Sequence, residues 1–252
     1  MKSAYIDLSL PLRSGGPNAN AYYAEELQET TIEMGSFVGA VARGGSVNYR
    51  KLSMTPHGNG THTECYGHIS DDPAATLYDL YKPQPVQALL VSVTLFTTKE
   101  GDLQITLADV QAAYTKALSA AGLKKAEVKA LIIRSLPNAE TKRTAHHSGK
   151  NPPYPESGMG QWLVDQGIEH WVLDVPSADR EQDEGRLINH KGFWQVSSGQ
   201  YKNVAAVQRK HCTITELAYV PQDVLDGAYQ LLLAPIPLLS DAAPSRVLIW
   251  KA

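Results

Sequence analysis

The stretch His57-Gly-Asn-Gly-Thr-His62-Thr-Glu64-Cys65-Tyr-Gly-His68 puts three histidines and a carboxylate into twelve positions. Eight histidines spread evenly over 252 residues would place fewer than one there. Imidazole and carboxylate are the usual ligands of Zn²⁺, Mn²⁺ and Fe²⁺, and no thiolate is required. In an extended segment side chains alternate with period two, so His62 and Glu64 point to one side and Cys65 to the other. Cys65 is therefore read as a small buried residue. Gly58 and Gly60 allow a tight turn that brings His57 back beside them. Three ligands on so short a segment leave coordination positions open for water, as a catalytic metal site requires. A lone histidine would be read as a solvated loop residue; the cluster with its glycines is read as a metal site.

Outward from this segment the pattern alternates strands and helices. Residues 5–10 read as a short opening strand, and 86–96, rich in β-branched residues, as a longer one. Thr106 is placed to cap a helix over 107–121, with apolar residues at 107, 110, 114 and 118 and Gly122 closing it. Lys129–Ser135 reads as a buried strand, Gly158–Gln166 as a short helix ended by Gly167, and Trp171–Val175 as another strand. Residues 229–239 and 245–250 add two more. Strands outnumber helices, and the helices fall between strands mid-chain. This predicts an α/β domain with a mixed sheet flanked by helices. No repeat, low-complexity tract or linker divides residues 1–252, so one domain is expected. The Pro- and Gly-rich stretch 138–158, with His146, His147 and Asn151-Pro152-Pro153-Tyr154-Pro155, reads as a functional lid or a surface excursion.

Composition narrows the class. The chain carries 23 basic and 26 acidic residues, a net charge of −3. With no basic run of five, a nucleic-acid partner is not expected. Asp7 and Pro11 interrupt any signal-peptide core, and the apolar runs fall well short of the roughly 18 residues a membrane span needs. Two cysteines make no disulfide framework. A cytoplasmic setting fits these features.

Gly60-Thr61-His62-x-Glu64 followed by His68 resembles the His-x-Gly-Thr-His-x-Asp-x-Pro-x-His signature of the cyclase-like metal hydrolases, among them bacterial kynurenine formamidase and isatin hydrolase. Asp7-Leu8-Ser9, Leu173-Asp174-Val175-Pro176-Ser177-x-Asp179, His190, and Asp241-Ala-Ala-Pro244-Ser245-Arg246 are similar to further segments of that family in the same order. The resemblance implies a swivelling β/β/α domain, assembled as a homodimer or larger homo-oligomer. It implies His57 and His62 on a first metal, and Glu64 where a carboxylate can bridge two. It places His68 as the proton-shuttling histidine and His190 and Glu216 on a second metal. Zinc or manganese, one ion or two, is the implied cofactor.

The chain departs from the pattern in three places. One extra residue lies between His57 and His62, Glu64 replaces the usual Asp, and the interval from His190 to Glu216 is long, which makes His211 a rival to His190. The family's substrate-contacting Trp has no counterpart, so either Tyr22 or Tyr23 serves instead or the substrate differs, and Tyr154 is read as stacking on an aromatic substrate. Asp174 and Asp179 are read as orienting a liganding histidine or capping a turn. Arg246 is read as meeting a substrate carboxylate or forming a surface ion pair.

The chemistry these residues suit is hydrolysis of a small amide. A cation lowers the pKa of bound water from about 16 toward roughly 7 and polarises the carbonyl. His68 would take the proton from water and return it to the leaving nitrogen, a task imidazole suits near neutral pH. An arylformamidase converting N-formylkynurenine to formate and kynurenine is the first reading. A hydrolase of another amide or lactam, isatin-like, is the second. A non-catalytic metal-binding domain is the third, and a free base at His68 speaks against it.

Overall fold

The computed structural model describes residues 5–196 and 207–251. Its strands are β1 (Ile6–Asp7), β2 (Gln28–Thr31), β3 (Glu33–Met34), β4 (Phe37–Val38), β5 (Arg50–Ser53), β6 (His62–Glu64), β7 (Val86–Thr94), β8 (Phe96–Thr97), β9 (Leu103–Ile105), β10 (Ala130–Leu136), β11 (Tyr154–Pro155), β12 (His170–Leu173), β13 (Thr213–Glu216), β14 (Gly227–Pro235) and β15 (Ala242–Trp250). The helices are α1 (Leu77–Leu80), α2 (Leu107–Ala121), α3 (Met159–Gln166) and α4 (Ile188–Trp194).

The main sheet runs β15-β14-β7-β10-β12-β13-β6, and β6 pairs back onto β15. Seven strands thus close into a mixed, barrel-like sheet. β7, β10, β12 and β13 are mutually parallel, and the remaining contacts around the ring are antiparallel. β15 makes closure possible because it is shared. Its first residues, Ala242–Pro244, lie opposite β6, while Leu248 and Ile249 lie opposite β1.

Period-two alternation sorts each parallel strand onto two buried faces. Leu89, Val91, Leu131, Ile133, Trp171, Leu173 and Ile214 pack with Val110 and Tyr114 of α2, Met159 and Leu163 of α3, and Phe193 and Trp194 of α4. Ala88, Leu90, Ala130, Ile132, Val172, Leu231, Ala243 and Val247 fill the opposite face. The small residues there suit the restricted interior of a closed sheet. His62 and Glu64 lie opposite Glu216 and Ile214 in the β6–β13 register, so they share the helix-covered face with Ile214.

The expected α/β mixed sheet with flanking helices is present. α2 begins and ends where its signals stand: the Thr106 hydroxyl accepts from the Asp109 N–H, and Gly122 closes it in the left-handed conformation. That cap is worth about 1 kcal/mol. The long strand expected over 86–96 stops at Thr94, and Phe96–Thr97 joins a separate small sheet with β9 and β11.

The stretch 138–158 is stitched down rather than a free lid. Asn20 N–H donates to Ala145 O and His147 N–H to Asn20 O, while the Gly149 and Asn151 N–H groups both donate to the Glu181 carboxylate. Backbone donors that find fixed acceptors have little to gain by opening. Among the described residues no helix is long and apolar enough to cross a membrane.

Candidate metal centre

Three segments distant in sequence meet at β6: residues 57–68, the end of β13 and α4. β6 itself supplies His62 and Glu64. The turn before it supplies His57, and the single helical turn after it, Tyr66–Ile69, supplies His68. Glu216 ends β13 directly opposite His62, and His190 projects from α4. The local fold follows from sequence. Gly60 adopts φ +69°, and a Cβ there would come within 2.7 Å of Leu12 Cδ2, so glycine makes the turn into β6 with least strain. Thr61 locks the same corner by accepting from the Leu10 N–H (2.9 Å) and donating to Leu217 O (2.6 Å).

Glu64 is the hub. Its Oε2 lies 3.2 Å from His57 Nδ1 and 3.9 Å from His68 Nδ1, and its Oε1 lies 3.3 Å from His190 Nε2. Glu216 Oε2 is 3.3 Å from His62 Nε2, and its Oε1 accepts from the Ala178 N–H at 2.8 Å. Both Glu64 oxygens and His62 Nε2 are fully buried without a hydrogen-bond partner. Burying such groups unpaired costs several kcal/mol. Imidazole nitrogens and carboxylate oxygens that converge at 3.2–3.3 Å without a well-aligned hydrogen bond are the arrangement a cation satisfies. Two overlapping groups have ligand atoms mutually within 4.8 Å: His57, Glu64 and His68, and His62, Glu64 and Glu216. The donor set, imidazole plus carboxylate, fits a divalent cation.

The rear of each ring is also engaged. Asp179 Oδ2 lies 2.6 Å from His190 Nδ1, and the same carboxylate accepts from the Asn189 and His190 N–H groups (2.9 and 3.1 Å). Asp179 therefore both orients the histidine and caps α4. Gly60 O lies 3.1 Å from His62 Nδ1, and Asp241 Oδ2 lies 2.8 Å from His57 Nε2 and 3.5 Å from His68 Nδ1.

The charges respond accordingly. Burial opposes protonation of His57, but Asp241 and Glu64 outweigh it and raise its pKa to about 10. Burial likewise opposes charge on His190, yet Asp179, Glu64 and Glu216 lift it well above the usual histidine range. Glu64 is held well below the usual carboxylate range: burial resists its ionisation, and His68, His190 and His57 overcome that. His57 and His68 draw Asp241 down in the same way.

The remaining candidates fall at various distances from this cluster. Tyr22, at φ +56°, is 41% exposed overall, but its hydroxyl faces Pro176 O at 3.4 Å. Desolvation of that hydroxyl, then the nearby Glu216 and Glu64 carboxylates, push its pKa far up. Tyr23 turns away, 76% exposed, with its N–H on Ser148 Oγ. Tyr154 donates to Asp102 Oδ2 at 2.7 Å, an acceptor shared with Arg180, so its hydroxyl serves that network instead of the cluster.

His190 enters the cluster, whereas His211 pairs with Glu169 (3.5 Å). Asp174 is not an orienter: its Oδ2 accepts from the Ser135 N–H and from Lys142 Nζ, both at 2.8 Å. Arg246 forms an exposed ion pair with Asp7. Cys65 is fully buried and packs on the other side of the sheet, as its parity requires. Asp241 is the residue that sequence reasoning left without a role. Its one signal was its place in the segment running to Arg246, and only β15–β6 pairing brings it to His57, 184 positions away.

A family model described as "Putative cyclase" matches residues 6–180. Solved structures share the fold, three of them as follows. A potential metal-dependent hydrolase with cyclase activity is 18% identical, with a TM-score of 0.60 over 97% of this chain and 96% of its own. Isatin hydrolase A from Labrenzia aggregata is 13% identical, with a TM-score of 0.63 over 98% and 94%. Isatin hydrolase A from Ralstonia solanacearum is 13% identical, with a TM-score of 0.65 over 98% and 92%. No curated protein shows significant similarity.

Proposed function

This chain belongs to the putative cyclase family, and on that premise we propose that it is a metal-dependent hydrolase of a small amide, with N-formylkynurenine, opened to formate and kynurenine, as the leading substrate. The observation that carries the reading is the convergence of His62 Nε2, both Glu64 oxygens and Glu216 in a buried site where the first three atoms make no well-aligned hydrogen bond. His57, His62, Glu64, His190 and Glu216 would hold one or two ions, zinc or manganese. Such a cation, when bound, polarises a carbonyl and lets water ionise near neutral pH.

The chain's own groups do the rest. His68 has a side chain 31% exposed, and its ring-nitrogen contacts to carboxylates are long, 3.5 Å to Asp241 and 3.9 Å to Glu64. It is therefore held near the site without being consumed by a short hydrogen bond. In this reading it accepts the proton of the attacking water and returns it to the amide nitrogen as the C–N bond breaks. The product carboxylate keeps the water oxygen, so atoms and charge balance. Tyr22, whose hydroxyl is close enough to Glu216 and Glu64 to feel their charge, would meet the substrate in this reading.

The isatin hydrolases among the structural relatives supply a second reading, hydrolysis of a cyclic amide by the same residues. Protein purified without chelator, analysed for metal and assayed on N-formylkynurenine, isatin and formanilides separates them. The first reading expects N-formylkynurenine turnover that His68→Ala abolishes while metal is retained. Turnover of isatin alone replaces it with the second. Bound metal with no amide turnover leaves a metal-binding domain.

A further inference from the structure

Three of the four rings around Glu64, those of His57, His62 and His190, have one nitrogen facing the shared carboxylates and the other facing a fixed acceptor. His62 presents Nε2 and is held from behind by Gly60 O; His190 presents Nε2 and is held by Asp179. His57 is turned the other way, with Nδ1 toward Glu64 and Nε2 toward Asp241. We infer that Asp241 is a positioning residue that fixes His57 with a proton on Nε2, so that Nδ1 is the nitrogen offered to a cation. The inference rests on the metal-site reading above.

Asp241 Oδ2 also lies 3.5 Å from His68 Nδ1, but its short contact, 2.8 Å, is to His57 Nε2. Its other oxygen, Oδ1, accepts from Ser240 Oγ at 3.0 Å, and its backbone oxygen accepts from the Cys65 N–H at 2.9 Å. The carboxylate is thus anchored to the end of β6 before it meets His57. Leu77 N–H bonded to Ser240 O at 2.7 Å fixes the preceding residue. His57, by contrast, sits in a turn with its side chain 24% exposed, and its ring has polar contacts only to Glu64 and Asp241 among the described residues. Its other restraints are ring contacts, with His68 at 4.2 Å and His62 at 5.2 Å between centroids. Without Asp241 nothing polar distinguishes its two nitrogens except the one that faces Glu64. A neutral imidazole carries its single proton on whichever nitrogen has the better acceptor, and a ligand's outer hydrogen bond therefore selects the coordinating atom. Loss of such a partner costs about 10- to 100-fold in metal affinity.

The test is zinc binding by the full chain, with ¹⁵N-histidine NMR of the zinc-loaded protein, for the parent, Asp241→Asn and Asp241→Ala. Thermal melting of the metal-free proteins checks that each variant is folded. The parent is expected to show His57 bonded through Nδ1 and a protected Nε2–H resonance. Asp241→Ala should lose that resonance and about 10- to 100-fold in affinity, with the His62 and His190 signals in place. Asp241→Asn, which keeps an acceptor oxygen, should recover part of the affinity. Coordination of His57 through Nε2, or parent-like affinity in Asp241→Ala, overturns the inference alone. A parent that binds no zinc overturns the metal-site reading and this inference with it.

Discussion

Adding one methyl group at Gly160 should weaken metal binding although Gly160 touches no ligand. α3 and α4 cross with almost no side chain between them. A Cβ at position 160 would stand 2.2 Å from Asn189 O and 3.0 Å from Phe193 N, where ordinary contact begins at 3.4 Å. Asn189 O must therefore retreat by about 1 Å, and it belongs to the residue before His190. α4 cannot slide freely to make room. The Asn189 side chain accepts from the Gly160 N–H (3.1 Å) and donates to Ala178 O (2.9 Å), and Asp179 caps the helix from the other side. Overpacking of this kind costs about 1–3 kcal/mol, which in a chain of this size lowers Tm by roughly 2–12 °C. Metal ligands tolerate only about 0.2 Å of displacement, so a ligand moved by several times that should lose affinity. Gly160→Ala is expected to melt lower by scanning fluorimetry and to bind zinc at least about tenfold more weakly by competition with a chromophoric chelator. A Gly160→Ala protein with parent affinity for zinc would refute the coupling of this crossing to His190, whatever its Tm.

Two further outcomes follow from the charges. In the cation-free protein His57 holds its proton up to about pH 10, and His190 is also raised. A cation must displace those protons, so its affinity should climb as pH rises through the neutral range, by about tenfold per pH unit for each proton released. Calorimetry in buffers of different ionisation enthalpy should detect that release at pH 7, and binding without proton release would contradict it. At the far end of the strands, burial lowers the His170 pKa to about 4. Its folded value lies below the unfolded value of about 6.5, so the stability it protects is complete above pH 6.5 and lost as pH falls toward 4. The loss amounts to about 3 kcal/mol. His170→Gln should flatten the decline of Tm over that window, and an unchanged slope would remove His170 from the explanation.

How much was legible beforehand depends on whether the signal was local. α2 could be placed to the residue because Thr106 and Gly122 mark its ends within the helix's own sequence. His62 and Glu64 could be put on one side because strand parity is local, and β6 obeys it. β13 and α4 escaped notice. Each is short, and neither TITE nor INHKGFW shows a period that outweighs its neighbours. The closure of the sheet was equally hidden, since it depends on β15 dividing one edge between β6 and β1. Asp241 was invisible as a partner of His57 for the same reason. Tyr154 was suspected on composition alone, and Asp102, some fifty residues earlier, decides where its hydroxyl goes.

The decisive measurement is anomalous diffraction from zinc- or manganese-loaded crystals. One strong peak is predicted at bonding distance, about 2.0–2.2 Å, from both His62 Nε2 and a Glu64 oxygen, and His62→Ala should erase it. Density for the ion elsewhere, or a loaded protein in which those atoms stay bare, would contradict the account at its root.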